Sequence, residues 1–264
     1  MRRFLGDLHR QRDVIRLLAR REFMSRYAGT TAGVVWVIVQ PAATVLIFWF
    51  VFAVGLRGAT GPAGAQFLPW FVCGLVPWLM FSEVLTMSTN GVRGNLQLIK
   101  KTPFPSEILP IVYISAAAAG HAVMLLLALL IAWVYGVAPG PGLLALPLYF
   151  CALCFLLLGL CWLGSALNVF HRDIGQSIGI IINLWFWLTP IVWDRSLLPG
   201  RWAEVLSLNP MVFIVDGYRS SLLGVAPGPG LAGDAAVFLL ISVLVFVGGA
   251  EVFRRLKLEF ADSI

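Results

Sequence analysis

Six apolar stretches divide this chain, at residues 33–56, 67–88, 109–135, 143–168, 174–193 and 235–253. Each is close to the roughly 20 residues that a helix needs to cross about 30 Å of hydrocarbon. The pattern predicts an all-α integral membrane protein with six transmembrane helices. It divides the chain into a cytoplasmic segment, 1–32, and a permease-like domain, 33–264.

The polar segments between the stretches alternate sides, and the basic residues follow one side. Fifteen of the 19 Lys and Arg lie in the N-terminal segment, the second-to-third and fourth-to-fifth connections, and the C-terminal segment. The other side holds Arg57, Arg195, Arg201 and Arg219. The positive-inside rule places both termini in the cytoplasm. The same sidedness assigns the net charge of +6 to anionic lipid rather than to nucleic acid.

A mean hydropathy of +0.89 excludes an ordinary soluble domain. Once six spans are placed, little of the 264 residues remains for a separate soluble enzyme. About 30 polar and basic residues precede the first stretch, which does not fit a cleavable signal peptide. Cys151 and Cys154 have C-x-x-C spacing, but no His or carboxylate lies near them in sequence. Small apolar packing is the expectation for these cysteines.

Three connections carry shorter patterns. Residues 7–27 read as an amphipathic helix on the membrane surface, with Val14, Leu17, Leu18 and Met24 on one face. Arg12, Arg16, Arg20 and Phe23 then point elsewhere, and Glu22 and Arg26 are spaced to pair at i,i+4. A plain topology-setting tail is the alternative. Residues 90–108 contain Asn90-Gly91, Arg93, Lys100-Lys101, Pro103 and Pro105, which allow one or two helical turns before Pro103. This reads as a docking element or an ordinary linker. Residues 194–233 face outward yet are largely apolar, and Pro199-Gly200 and Asn209-Pro210 cut them into two short pieces. Neither piece can span, so both read as outer re-entrant helices within 196–224, with Pro210 opening the second. Asp216 and Arg219 can neutralise each other at i,i+3.

Apart from Glu251 at the end of the sixth stretch, the spans hold only Glu83 and His121 as acidic, basic or imidazole groups, too few for an ion-coupled carrier. Arg93 or water can reach Glu83, and His121 is expected to be hydrogen-bonded within the bundle. No internal repeat, potassium-channel filter, voltage-sensor ladder, catalytic carboxylate pair or phosphate-binding Gly-Lys loop is visible. Aromatics are the positive signal: ten Trp and 18 Phe exceed what interfacial belts at Trp70, Trp133, Trp193 and Trp202 require. Trp36, Phe48, Trp49 and Phe50 along the first span and Trp185, Phe186 and Trp187 in the fifth, with Gln40, Asn183 and Thr189 as candidate polar companions, can stack on and hydrogen-bond sugars; lipid-facing or packing aromatics are the alternative. Gly175-x-x-x-Gly179 and Ser115, Ala119 and Gly120 allow close helix approach.

Several runs resemble one family. They are Arg26-Tyr27-Ala28-Gly29-Thr30 through Trp36 and Gln40-Pro41; Leu98 through Pro110 with Lys100-Lys101-Thr102-Pro103-Phe104; and Asn168 through Ile174. Thr189-Pro190-Ile191-Val192, Leu208-Asn209-Pro210-Met211 with Gly217-Tyr218-Arg219, and Phe253 through Lys257 continue the series. In order and spacing they resemble the permease subunits of ABC-type-2 exporters of lipid-linked polysaccharide: O-antigen, capsule and teichoic acid. Many members of that family have Asn where Gln40 stands.

The resemblance implies a multi-pass protein of the bacterial inner membrane, acting as a homodimer with two separate ATP-binding cassette subunits. It implies no enzyme and no cofactor in this chain, with ATP and Mg held by the partner. It places ATPase contacts at Glu22, Arg26, Lys100, Lys101, Pro103 and Phe104. It places a substrate path at Trp36, Gln40, Phe48, Asn183, Trp185 and Trp187. An outer gate falls at Asn209, Pro210, Asp216 and Arg219. A drug or lipid permease of the same type, and a membrane enzyme of lipid-glycan synthesis, are the competing expectations.

Overall fold

The computed structural model describes residues 11–51, 66–101, 104–137, 140–225 and 230–260. Among these residues ten α-helices follow one another. They are α1 (Arg12–Tyr27), α2 (Trp36–Trp49), α3 (Phe67–Gly94), α4 (Leu96–Lys101) and α5 (Leu109–Val134). Then come α6 (Leu146–Phe170), α7 (Asp173–Leu188), α8 (Gly200–Leu206), α9 (Pro210–Leu223) and α10 (Leu231–Leu256).

Among the described residues four helices are long and apolar enough to cross a membrane: α3, α5, α6 and α10. α3 is the central one. In its most apolar window 78% of residues are buried, against 22–28% in the other three. It packs against α5, α6, α7 and α9, while α10 lies along α6 and α1 along α5. Proline opens α5 and α6 within their first turns, where its missing N–H costs nothing.

The fifth expected span is shorter than its apolar stretch. The first opens with a short 3₁₀ turn at Gly33–Val35 followed by the 14 residues of α2, and residues 52–56 of its stretch lie outside the described residues. α7 has 16 residues, about 24 Å at the helical rise per residue. It stops at Leu188 because Thr189 precedes Pro190, whose ring pushes the preceding residue out of helical geometry. Thr189 is extended, at φ −103° and ψ 133°. α3 in turn runs past its expected end to Gly94, so Asn90-Gly91 is helical rather than a turn. Gly91 has a packing reason to lack a side chain, since a Cβ there would strike the Tyr113 ring.

α1 docks by a different face from the expected one. Ile15 and Ala19 are buried against Ile108, Val112 and Ala116, with Leu18 and Phe23 beside them. Val14 and Met24 are exposed, and Leu17 is 70% exposed. The helix has two apolar faces, and periodicity alone does not say which one meets protein. The small Ala116 and the branched Val112 make a shallow seat that Ile15 and Ala19 fill.

A close approach of two helix backbones falls outside the glycine patterns read from the sequence. A Cβ on Gly159 of α6 would sit 2.7 Å from the Phe246 backbone of α10, and Gly249 lies against the Gly159 carbonyl. Small residues give helices in lipid this close approach. Gly175 does pack closely, but within the chain, against Asn90 and Asn168.

Candidate functional site

The side chains of functional interest gather at three levels. The first is a cavity of about 610 Å³ between the end of α1 and helices α2, α3 and α5. The docking of Ile15 and Ala19 turns the same face of α1 inward two turns later, at Arg26. Arg26 forms an ion pair with Glu83 of α3. This replaces both sequence-based pairings, Glu22 with Arg26 and Arg93 with Glu83. A carboxylate partly withdrawn from water needs a cation more than one at the surface does. Glu22 lies half-buried nearby. Gln40, Thr44, Trp36, Met80 and His121 also line this cavity.

The second level is the connection between α3 and α5. The backbone of α4 carries Lys100 and Lys101, whose side chains lie outside the described residues, as does Pro103 altogether. Phe104 is half-buried and packs against both the main core and the α1–α5 cluster. Just after it, Glu107 is held twice: Lys257 reaches its carboxylate at 2.5 Å, and Trp162 Nε1 donates to its carbonyl at 3.1 Å. Asn168 ties three helix ends together. Its Nδ2 donates to the Thr89 carbonyl at 3.0 Å and to Asn90 Oδ1 at 3.2 Å, and its Oδ1 accepts from the Gly175 N–H at 2.8 Å. Sequence reasoning gave Glu107, Trp162 and Asn168 no such roles. Asn168 stands at the polar end of an apolar run and opens one of the family-like runs, but neither signal names its partners.

The third level lies around the start of α3 and the start of α9. Asn209 caps α9 by accepting from the Met211 N–H at 3.0 Å. The same oxygen accepts from Trp185 Nε1 at 2.8 Å, and its amide donates to Thr189 Oγ1 at 3.0 Å. Pro210 is the first residue of α9, as its position after Asn209 predicts. Arg219 is buried. It donates from Nε to the Trp70 carbonyl at 3.2 Å and from Nη2 to the Ile191 carbonyl at 3.0 Å. It pairs with Asp216 at 3.4 Å, the expected i,i+3 partner. Its guanidinium also lies 3.5 Å over the Trp70 ring, so Trp70 is a buried cation platform and not a membrane-interface belt residue. Next to it, Tyr218 hydrogen-bonds His121 Nε2 at 3.0 Å, which gives the mid-span histidine its expected partner within the bundle.

The expected path residues fall into separate groups. Trp36 and Gln40 line the inner cavity. Trp185 and Trp187 line an outer groove of about 670 Å³ with Trp193, Trp202, Asn209 and Pro210. Phe48 stands between them, 5.0 Å from the Phe71 ring and 6.0 Å from the Phe186 ring. Asn183 is exposed on α7 and lines neither space.

The chain belongs to the ABC-2 type transporter family, whose sequence profile matches residues 13–223. It is similar to the O-antigen export system permease protein RfbA of Myxococcus xanthus, with 26% identity over 100% of both chains. RfbA of Klebsiella pneumoniae is 24% identical over 96% of this chain and 95% of its own. The polysialic acid transport protein KpsM of Escherichia coli is 24% identical over 90% of this chain and 92% of its own.

Proposed function

We propose that this chain is the permease subunit of an ATP-driven exporter that moves lipid-linked polysaccharide out of the cytoplasm. Its full-length similarity to two O-antigen permeases and its similarity to a polysialic acid transport protein support that class of cargo. The geometric observation that carries the reading is the exposure of α2 and α7. The Phe48 and Phe186 rings lie 6.0 Å apart, and each helix leaves a long apolar and aromatic face uncovered. Exposed on these faces are Trp36, Leu46 and Ile47 of the first and Leu184, Trp187 and Leu188 of the second.

In the proposed assembly two copies of the chain face each other across α2 and α7. A path runs between them along Trp36, Gln40, Phe48, Asn183, Trp185 and Trp187. Aromatic faces suit the apolar faces of sugar rings, and amides suit their hydroxyls. α2 and α7 complete six membrane passes, both termini lie in the cytoplasm, and the setting is a bacterial inner membrane. α8 and α9 are outer re-entrant elements, and Asn209, Pro210, Asp216 and Arg219 set the position of α9 at the exit. Residues 1–32 form the interface segment ahead of the permease domain, 33–264.

Two ATP-binding cassette subunits supply ATP and Mg, and dock on Glu22, Arg26 and the segment Lys100, Lys101, Pro103 and Phe104. The anchoring of Glu107 by Lys257 and Trp162 supports this docking role, because a held segment transmits force better than a free one. The test is genetic. Deletion of the gene should leave glycan inside the cell, and complementation should return it to the surface. Normal surface glycan after deletion contradicts the proposal.

A further inference from the structure

The inner cavity has different chemistry at its two ends. Toward the cytoplasm its wall carries Arg26, Glu83 and Thr30; deeper, it is formed by Val76, Met80 and Met124. Glu83 and Val76 lie on one helix, about 10 Å apart along its axis. A space of about 610 Å³ is not left empty at membrane depth, because its walls would forgo dispersion contacts. Water needs two to four polar partners, and the deep wall offers His121, whose Nε2 is already bonded to Tyr218. A bare hydrocarbon chain suits the deep wall, but it would press Arg26, Glu83 and Gln40 against oil. An amphiphile satisfies both ends. The flexible side chains of Met80, Met87 and Met124 are suited to moulding around a chain.

Charge selects the headgroup. Arg26 and Glu83 form an ion pair, so the polar end carries no net charge. An anionic head would bring its negative charge against the Glu83 carboxylate. A zwitterionic head offers its phosphate to Arg26 and its ammonium to Glu83. We propose that this cavity is a binding site for one zwitterionic phospholipid of the phosphoethanolamine type. Its head lies at Arg26 and Glu83, and one acyl chain runs along Val76, Met80 and Met124. The site holds this lipid whatever cargo the chain moves.

The purified full-length chain in detergent, given equal amounts of phosphatidylethanolamine and phosphatidylglycerol, is read by native mass spectrometry. One retained phosphatidylethanolamine per chain is expected, favoured at least about fivefold over phosphatidylglycerol. Gly120→Leu fills the cavity: the nearest atom to a Cβ there is Val37 Cγ1, at 4.0 Å. This variant should lose the adduct by about fivefold or more while keeping its melting temperature. If Gly120→Leu does not fold, Met124→Trp blocks the same space from the next turn, and the wild-type selectivity decides in any case. No adduct, equal or greater retention of phosphatidylglycerol, or an unchanged adduct in a folded filled variant overturns the proposal.

Discussion

Arg26, at the end of the surface helix α1, forms an ion pair with Glu83, eleven residues short of the end of α3. The pair ties the segment proposed to meet the ATPase to the central helix of the bundle. Glu83 is the only carboxylate within α3, and its side chain is 35% exposed. Removing either partner leaves a partly withdrawn charge, a cost of about 1–3 kcal/mol. Glu83→Gln and Arg26→Ala should each lower stability by that amount in thermal unfolding, and the double variant by less than their sum. Glu22→Ala should stay within about 0.5 kcal/mol. A larger loss from Glu22→Ala than from Glu83→Gln would mean that α1 pairs internally instead.

His121 and Tyr218 join α5 to α9 across the core. Hydrogen bonds between membrane helices average only about 0.6 kcal/mol and reach about 1.7. Tyr218→Phe keeps the ring and should cost no more than that. His121→Leu removes the other partner, and the double variant should add little to either single change. The measurement is a double-mutant cycle of melting in one detergent, and strict additivity would contradict the contact.

Asn209 performs three tasks with one amide. Asn209→Ala removes the α9 cap, worth about 1 kcal/mol, and leaves the Trp185 indole N–H without its acceptor, worth about 1–3 more. Asn209→Asp keeps the cap and the indole bond but cannot donate to Thr189. Ala should therefore be markedly worse than Asp, both in stability and in surface glycan restored to a deletion strain. Equal behaviour of the two would mean that the cap and the indole bond carry no weight.

Gly159 and Gly249 set the distance between α6 and α10. Gly249→Val forces a side chain against the Gly159 carbonyl, and overpacking of this kind costs about 1–3 kcal/mol. Gly179→Ala meets open space and should cost nothing measurable. Comparable melting temperatures for the two variants would contradict the packing described.

The features most legible in the sequence depended on one-dimensional signals. α3, α5, α6 and α10 follow from apolar runs, the start of α9 from Asn209-Pro210, and the Asp216–Arg219 pair from i,i+3 spacing. The end of α7 was harder to place. Ile191 and Val192 extend the apolar run, while Pro190 had already ended the helix. The docking face of α1 and the partner of Glu83 depend on which helix lies opposite, and spacing does not encode that. Trp70 shows the same gap: an aromatic near a span end suits an interfacial belt equally well until Arg219, 149 residues later, is folded over it.

The central claim is that this chain does not power transport itself. The most direct test is to reconstitute it into proteoliposomes with a short lipid-linked glycan, with and without its cassette ATPase. The account predicts movement only when both the ATPase and ATP are present. Uphill movement by this chain alone, on a proton or sodium gradient, would contradict it.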